Sequence, residues 1–172
     1  SAALLDVLCH PRWLLCTILP YLRHGGLPAP IEYPLPQSGD PSFGKFAWKD
    51  DTLDWEFLTQ LRELWPRKLI LKGVLDPRDA KLAADQGVDG IIVSNHGGIA
   101  LDASVSPLQM LPEIVSAVGG RMTIVLDGGI RRGSDIIKAC ALGADMVLAG
   151  RAAMYGLAVN GENGVVDAIS IL

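Results

Sequence analysis

The chain has 172 residues, of which 49% are apolar and 20% charged, with 15 basic and 19 acidic residues giving a net charge of −4. That length and composition suit one sizeable globular core and exclude a disordered chain, and the acidic balance excludes the broad basic face that nucleic-acid binding needs. The cysteines Cys9, Cys16 and Cys140 are odd in number and form no CxxC pair. They read as free thiols in a reducing, cytoplasmic compartment, and no residue pattern resembles a zinc site.

Residues 1–22 predict a helical segment, kinked or restarted after Pro11. Charges and prolines interrupt it (Asp6, His10, Pro11, Arg12, Pro20), so it is neither a signal peptide nor a membrane span. Residues 23–50 are dense in Pro and Gly and read as a long variable loop. Its plain reading is a surface insertion. A sharper one is an active-site lid or a weak, peripheral membrane contact through apolar residues such as Leu27, Tyr33, Phe43 and Trp48. From residue 51 the pattern becomes regular. Thr52 is expected to cap a helix through Trp65, which Pro66 ends. Strands are expected at Lys68–Lys72, Gly90–Ser94, Met122–Leu126 and Asp145–Ala149. Helices are expected between them, opened by Asp76-Pro77, Ser106-Pro107 and Ser134 and closed near Gly87, Gly119 and Gly143. A further helix starts near Ala152, and another fills Val165–Leu172. The chain starts without a Met and both ends fall inside expected helices, which reads as a piece of a longer chain.

Strand and helix thus alternate four times, the pattern of a parallel sheet. The stretches 84–93 and 141–148 also resemble each other, each with a Gly at a helix end and an Asp just before a strand. Such a repeat suits a barrel. The expected fold is therefore α/β, half of a (β/α)8 TIM barrel with parallel strands. Residues 51–172 would supply its four βα units.

Ligands of parallel sheets gather at the carboxyl ends of the strands. Lys72-Gly73 ends the first strand and would put a cation in the barrel mouth. Ser94-Asn95-His96-Gly97-Gly98 ends the second, with His96 in a setting suited to proton transfer. Asp127-Gly128-Gly129-Ile130-Arg131-Arg132-Gly133 ends the third, and Gly150-Arg151 the fourth. Glycines that admit a ligand, arginines and free N–H groups at a following helix make a phosphate corner. Taken singly, each of these has a structural reading as well: a solvated lysine, a packed histidine, a Gly-rich turn.

Together and in this order, these motifs resemble the FMN-dependent α-hydroxy acid dehydrogenase and oxidase family. Its members include lactate and mandelate dehydrogenases, glycolate oxidase and lactate monooxygenase. The resemblance is strongest over residues 50–172, and His10-Pro11-Arg12-Trp13 and Leu64-Trp65-Pro66-Arg67-Lys68 look most like the mandelate and lactate dehydrogenase branch. It implies the C-terminal half of the barrel and FMN as cofactor. The reaction it implies is oxidation of a small 2-hydroxy acid to the keto acid. Lys72 would lie beside the flavin, and His96 would be the catalytic base that meets the substrate. Asp127, Gly129, Arg131, Gly150 and Arg151 would hold the ribityl chain and phosphate, with Ser94 and Gly128 counted among the cofactor-binding residues. Partners implied are a homo-oligomer or a complementary N-terminal half.

Two departures stand out. The family's carboxylate-pairing arginine falls at Ile99, and its usual Gln at Ala100. An isoleucine cannot replace a bidentate guanidinium contact. The barrel's first half, with further active-site residues, has no counterpart in the sequence. The alternative reading is therefore a degenerate half barrel that still binds FMN or another phosphate without turnover. Phosphate-binding barrels such as inosine monophosphate dehydrogenase share the glycine-rich corner but not the Ser-Asn-His-Gly-Gly run.

Overall fold

The computed structural model describes residues 9–13, 15–16, 19–24 and 53–172. The chain divides into two units, Ser1–Asp51 and Thr52–Leu172. In the first, two short helices are described, α1 (Pro11–Trp13) and α2 (Leu19–His24). The second helix includes Arg23 and His24, the first two residues assigned above to the long loop. The rest of that loop, its lid or membrane role and the Thr52 cap lie outside the described residues.

The second unit begins with α3 (Trp55–Leu64). Its N-cap is Asp54, whose carboxylate accepts the Phe57 N–H at 2.8 Å. Asp54 stands three residues before that N–H, the reach a side-chain cap requires, so the helix starts later than expected. Four βα units follow: β1 (Ile70–Val74), α4 (Pro77–Asp85), β2 (Gly90–Val93), α5 (Pro107–Val118), β3 (Thr123–Asp127), α6 (Gly133–Ala141), β4 (Met146–Leu148) and α7 (Arg151–Ile171). The strands form one parallel sheet in the order β1-β2-β3-β4. Strand β1 starts two residues later than expected and runs on through Gly73, where the register with β2 shifts between Lys72 and Val74. Gly73 has φ +99, open to glycine and costly for other residues.

Register decides which side chains share a face. Leu71, Ile91 and Ile124 are partners across the sheet, as are Val74, Val93, Leu126 and Val147. These rows meet α4, α5 and α6 through Ala80, Ala83, Leu111, Ile114, Val118 and Ala139, all fully buried. The opposite face carries the row Lys72, Ile92, Val125 and Met146. Ser94, Asp127 and Leu148 stand one step further along it, toward the carboxyl ends. The strand-end polar groups thus fall on the side away from the packed helices.

The sequence repeat has a structural cause. The Asp89 carboxylate accepts the Leu69 N–H at 2.9 Å and the Asp145 carboxylate accepts the Ile124 N–H at 2.8 Å. The backbone N–H of each Asp returns a bond to the carbonyl of the same residue, at 2.9 and 2.8 Å. Each Asp therefore ties the start of its own strand to the start of the preceding one, and the Gly before it ends the helix with positive φ. Arg62 and Lys68 pair with Asp89 at 3.0 and 2.7 Å, and Lys68 and the Leu69 N–H hold its carboxyl down at about 2.

Helix α7 is two helices joined at Asn160-Gly161, where the backbone leaves helical geometry. Gly156 and Gly164 bring the two parts into backbone contact, and a Cβ on either would strike the other's carbonyl. This agrees with the two helices expected there.

Candidate active site

Lys72, Ser94 and Asp127 come from three adjacent strands and meet on one face. The Lys72 ammonium pairs with Asp127 Oδ2 at 2.6 Å and donates to Ser94 Oγ at 2.7 Å. Ser94 is 2% exposed and also accepts the His96 backbone N–H at 3.1 Å. Its hydroxyl thus anchors both the strand-end cation and the histidine. It does not line the cleft described below; Lys72, His96, Asp127, Gly128, Gly129, Arg131, Gly150 and Arg151 do. The other carboxylate oxygen, Asp127 Oδ1, is buried and has no hydrogen-bond partner among the described residues. An unsatisfied carboxylate oxygen is costly, so this atom marks a place where a donor is expected.

His96 opens a tight turn, His96–Gly98, directly after β2. It has φ +56, the single positive-φ residue other than glycine among the described residues. Gly97 and Gly98 follow at +69 and +76, so three successive residues lie in the left-handed region. For a non-glycine residue this costs about 1 kcal/mol. The turn is held by the Ser94 hydroxyl and by the Gly98 N–H on the Asn95 carbonyl at 3.1 Å. The imidazole is exposed and has no hydrogen-bond acceptor among the described residues. From the other side, the Arg151 guanidinium donates to the Gly97 carbonyl at 3.3 Å. A Cβ on Gly97 would stand 3.3 Å from that guanidinium. The left-handed φ of +69 is the stronger reason for glycine at 97, since the exposed Arg151 side chain can yield.

Just before α6 the Asp135 carboxylate accepts the Arg131 and Arg132 N–H groups, both at 3.0 Å, and those bonds hold its pKa down. Asp135 thus fixes the backbone that leads into the helix, a reach-back that an acidic residue in the first turn makes available. Arg131 and the Gly150-Arg151 start of α7 line the cleft described below, whereas Gly133 and Ser134 do not. Gly128 and Gly129 have φ +93 and +78, and Gly129 and Gly150 have open space where a Cβ would stand.

These groups surround a cleft of about 900 Å3. Ile99, singled out above as a departure from the motif, lines the cleft, and so do residues the motif reading did not select, among them Leu148, Met154 and Tyr155. Ile99, Met154 and Tyr155 are 80, 63 and 66% exposed. Met154 and Tyr155 gave no sequence signal, because only the fold brings the first turn of α7 beside the turn after β2. Among the described residues no group of His, Cys, Asp or Glu could hold a metal ion.

The family model described as FMN-dependent dehydrogenase matches residues 1–172. The chain belongs to the FMN-dependent dehydrogenase family. Similar relatives include the (S)-mandelate dehydrogenase of Pseudomonas putida, 42% identical over 175 residues, covering 100% of this chain and 43% of the relative. The L-lactate dehydrogenase of Caulobacter sp. (strain K31) is 50% identical over 123 residues, covering 72% of this chain and 32% of the relative. A solved mandelate oxidase with benzoyl-formic acid superposes with a TM-score of 0.67 at 46% identity, covering 70% of this chain and 36% of that one. The chain spans less than half the length of the relatives it matches. FMN is the cofactor of this FMN-dependent dehydrogenase family, whose solved members are TIM-barrel enzymes. The four βα units correspond to the C-terminal part of that barrel, as the motifs implied.

Proposed function

We propose that this chain carries the FMN-holding and proton-accepting half of an enzyme that oxidises an α-hydroxy acid to the α-keto acid. The observation that carries this reading is the Lys72–Ser94–Asp127 cluster with its unpartnered buried oxygen, facing two arginines across one cleft. The residues fit FMN. The Asp127 carboxylate on the cleft wall is the acceptor for a ribityl hydroxyl, Gly129 and Gly150 leave open space beside Gly128 for the chain, and Arg131 and Arg151 match a phosphate dianion. When bound, FMN supplies the two-electron acceptor that no side chain here can provide. Lys72 contributes positive charge where negative charge develops. His96, presented by its left-handed turn, takes the proton of the substrate hydroxyl. The Ser94 hydroxyl keeps these two groups in fixed relation.

The sheet's two edge strands, β1 and β4, have no further strand beside them among the described residues. We assign their closure to a complementary N-terminal half or to a second copy in a homo-oligomer. No described helix is long and apolar enough to cross a membrane. A cytoplasmic enzyme with peripheral contact through residues 23–50 is the placement we favour, supported by a solved relative described as a membrane-associated (S)-mandelate dehydrogenase.

The test is the visible spectrum of the full chain with FMN, followed under anaerobic conditions on adding lactate, glycolate or (S)-mandelate. Flavin bound and then bleached supports the proposal. Flavin bound but never bleached supports the second reading, a half barrel that binds without turnover, which the apolar Ile99 beside His96 favours. A chain that ignores FMN rejects both.

A further inference from the structure

The chain holds two Asn-Gly pairs, Asn160-Gly161 and Asn163-Gly164, close together in α7. Such a pair can react with itself. Glycine has no side chain to shield its backbone nitrogen, and its backbone turns freely. That nitrogen can therefore reach the carboxamide carbon of the asparagine before it. The structure sets the two pairs in opposite circumstances. Asn160 and Gly161 are the residues of α7 that leave helical geometry, with φ −147 and ψ 28 at Asn160 and φ +59 and ψ −139 at Gly161. Both are exposed, and a Cβ on Gly161 would meet open space. Asn163 and Gly164 keep helical angles. Gly164 is buried against Gly156, whose carbonyl a Cβ on Gly164 would strike. Ring closure has to turn the peptide plane between asparagine and glycine. At 160–161 that plane is the joint between two helices. At 163–164 turning it breaks a helix and a packed contact. The contrast is set by the backbone of α7 itself.

We propose that Asn160 is a site of spontaneous deamidation and isoaspartate formation, and that the helix protects Asn163. The Gly161 nitrogen gives up its proton and bonds to Asn160 Cγ. The Cγ–Nδ2 bond breaks, and ammonia leaves with that proton. Water then opens the cyclic imide. Cleavage of the new N–Cγ bond gives aspartate. Cleavage of the bond between that nitrogen and the main-chain carbonyl carbon of residue 160 gives isoaspartate. Water is the only co-reactant. Either product places a carboxylate at the joint, and isoaspartate also adds one carbon to the main chain there. The part of α7 before the joint supplies Arg151, Met154 and Tyr155 to the cleft, so the change falls on the helix that forms one of its walls. The inference is independent of the flavin reading.

The experiment incubates the full chain at mildly alkaline pH, folded in buffer and unfolded in urea. Deamidation is followed by the small mass gain on exchanging the amide for an acid. Isoaspartate is followed by labelling with an isoaspartate-specific carboxyl methyltransferase. Asn160→Gln and Asn163→Gln assign each signal to its residue, since the longer side chain closes this ring far less readily. In the folded chain Asn160 should react about tenfold or more faster than Asn163, because reaction at 163 has to wait for local opening of the helix. In urea the two should react at similar rates. Three results would overturn the proposal: equal rates at the two positions in the folded chain, no reaction at Asn160 in the folded chain, or a preference for Asn160 that urea leaves unchanged. The last would assign the difference to neighbouring sequence and take it away from the fold.

Discussion

His96 is held where chemistry and conformational ease pull in opposite directions. Its left-handed backbone costs energy that glycine would not incur, yet the reaction proposed above needs an imidazole there. The expected outcome is an inverted order of stability. His96→Gly should be more stable than His96→Ala by about 1 kcal/mol in urea denaturation, because alanine keeps the steric cost and glycine removes it. Both variants should retain FMN and lose flavin reduction by substrate roughly 100- to 10,000-fold. Equal stability of the two variants would contradict the left-handed turn. Ser94 matters at the same scale for a different reason. One buried hydroxyl receives both the Lys72 ammonium and the His96 backbone N–H, so two residues 24 positions apart share one anchor.

At the scale of elements, the repeated Gly-x-Asp before β2 and β4 sets the sheet. Asp89 carries the heavier load, since it bonds the Leu69 N–H and pairs with Arg62 and Lys68. Its folded pKa of about 2 lies below the ordinary 3.8. A lowered carboxyl pKa contributes stability that is full above the unfolded value and is lost as pH falls from there through the folded value. The melting temperature of the unaltered chain should therefore drop on acidification from about pH 4 to about pH 2. Asp89→Asn should melt lower at pH 7 and show a shallower acid limb over that window. A variant whose acid limb is as steep as that of the unaltered chain would remove Asp89 from this role. Neighbouring Gly90 is constrained by β3. A Cβ there would stand 2.9 Å from the Thr123 carbonyl, its register partner. Gly90→Ala should cost about 1–3 kcal/mol, because backbone and not a flexible side chain must yield. Chemical denaturation reads this directly.

For the molecule as a whole, one face of the sheet is packed by helices and the other carries the site. Ile70 and Met146, on the two edge strands, remain 51 and 57% exposed. Ligand binding should accordingly be felt as global stability. A ligand held only by the folded state stabilises it by about 2.7 kcal/mol at a concentration 100 times its dissociation constant. FMN should raise the melting temperature of the full chain, and riboflavin, which lacks the phosphate, should raise it much less. Arg131→Ala and Arg151→Ala should each narrow the gap between the two. Equal shifts from FMN and riboflavin would take the phosphate away from this corner.

The alternation of strands and helices, their caps at Asp76-Pro77 and Ser106-Pro107, and the ligand-facing motifs at four strand ends were legible in the sequence alone. These signals are local: a cap, a period and a strand-end loop are written within a few residues of each other. The family followed from the order of those motifs. The tertiary structure decided what depends on register between distant strands. It put Ser94 beneath Lys72 and His96 and left Asp127 Oδ1 without a partner. It also gave the Arg131 and Arg132 N–H groups, just before α6, to Asp135 and brought Arg151 against Gly97. Ile99 was visible in the sequence as an apolar residue in a polar motif. Only the fold placed it, 80% exposed, on the wall of the cleft that His96, Arg131 and Arg151 also line, because that wall joins two loops more than fifty positions apart.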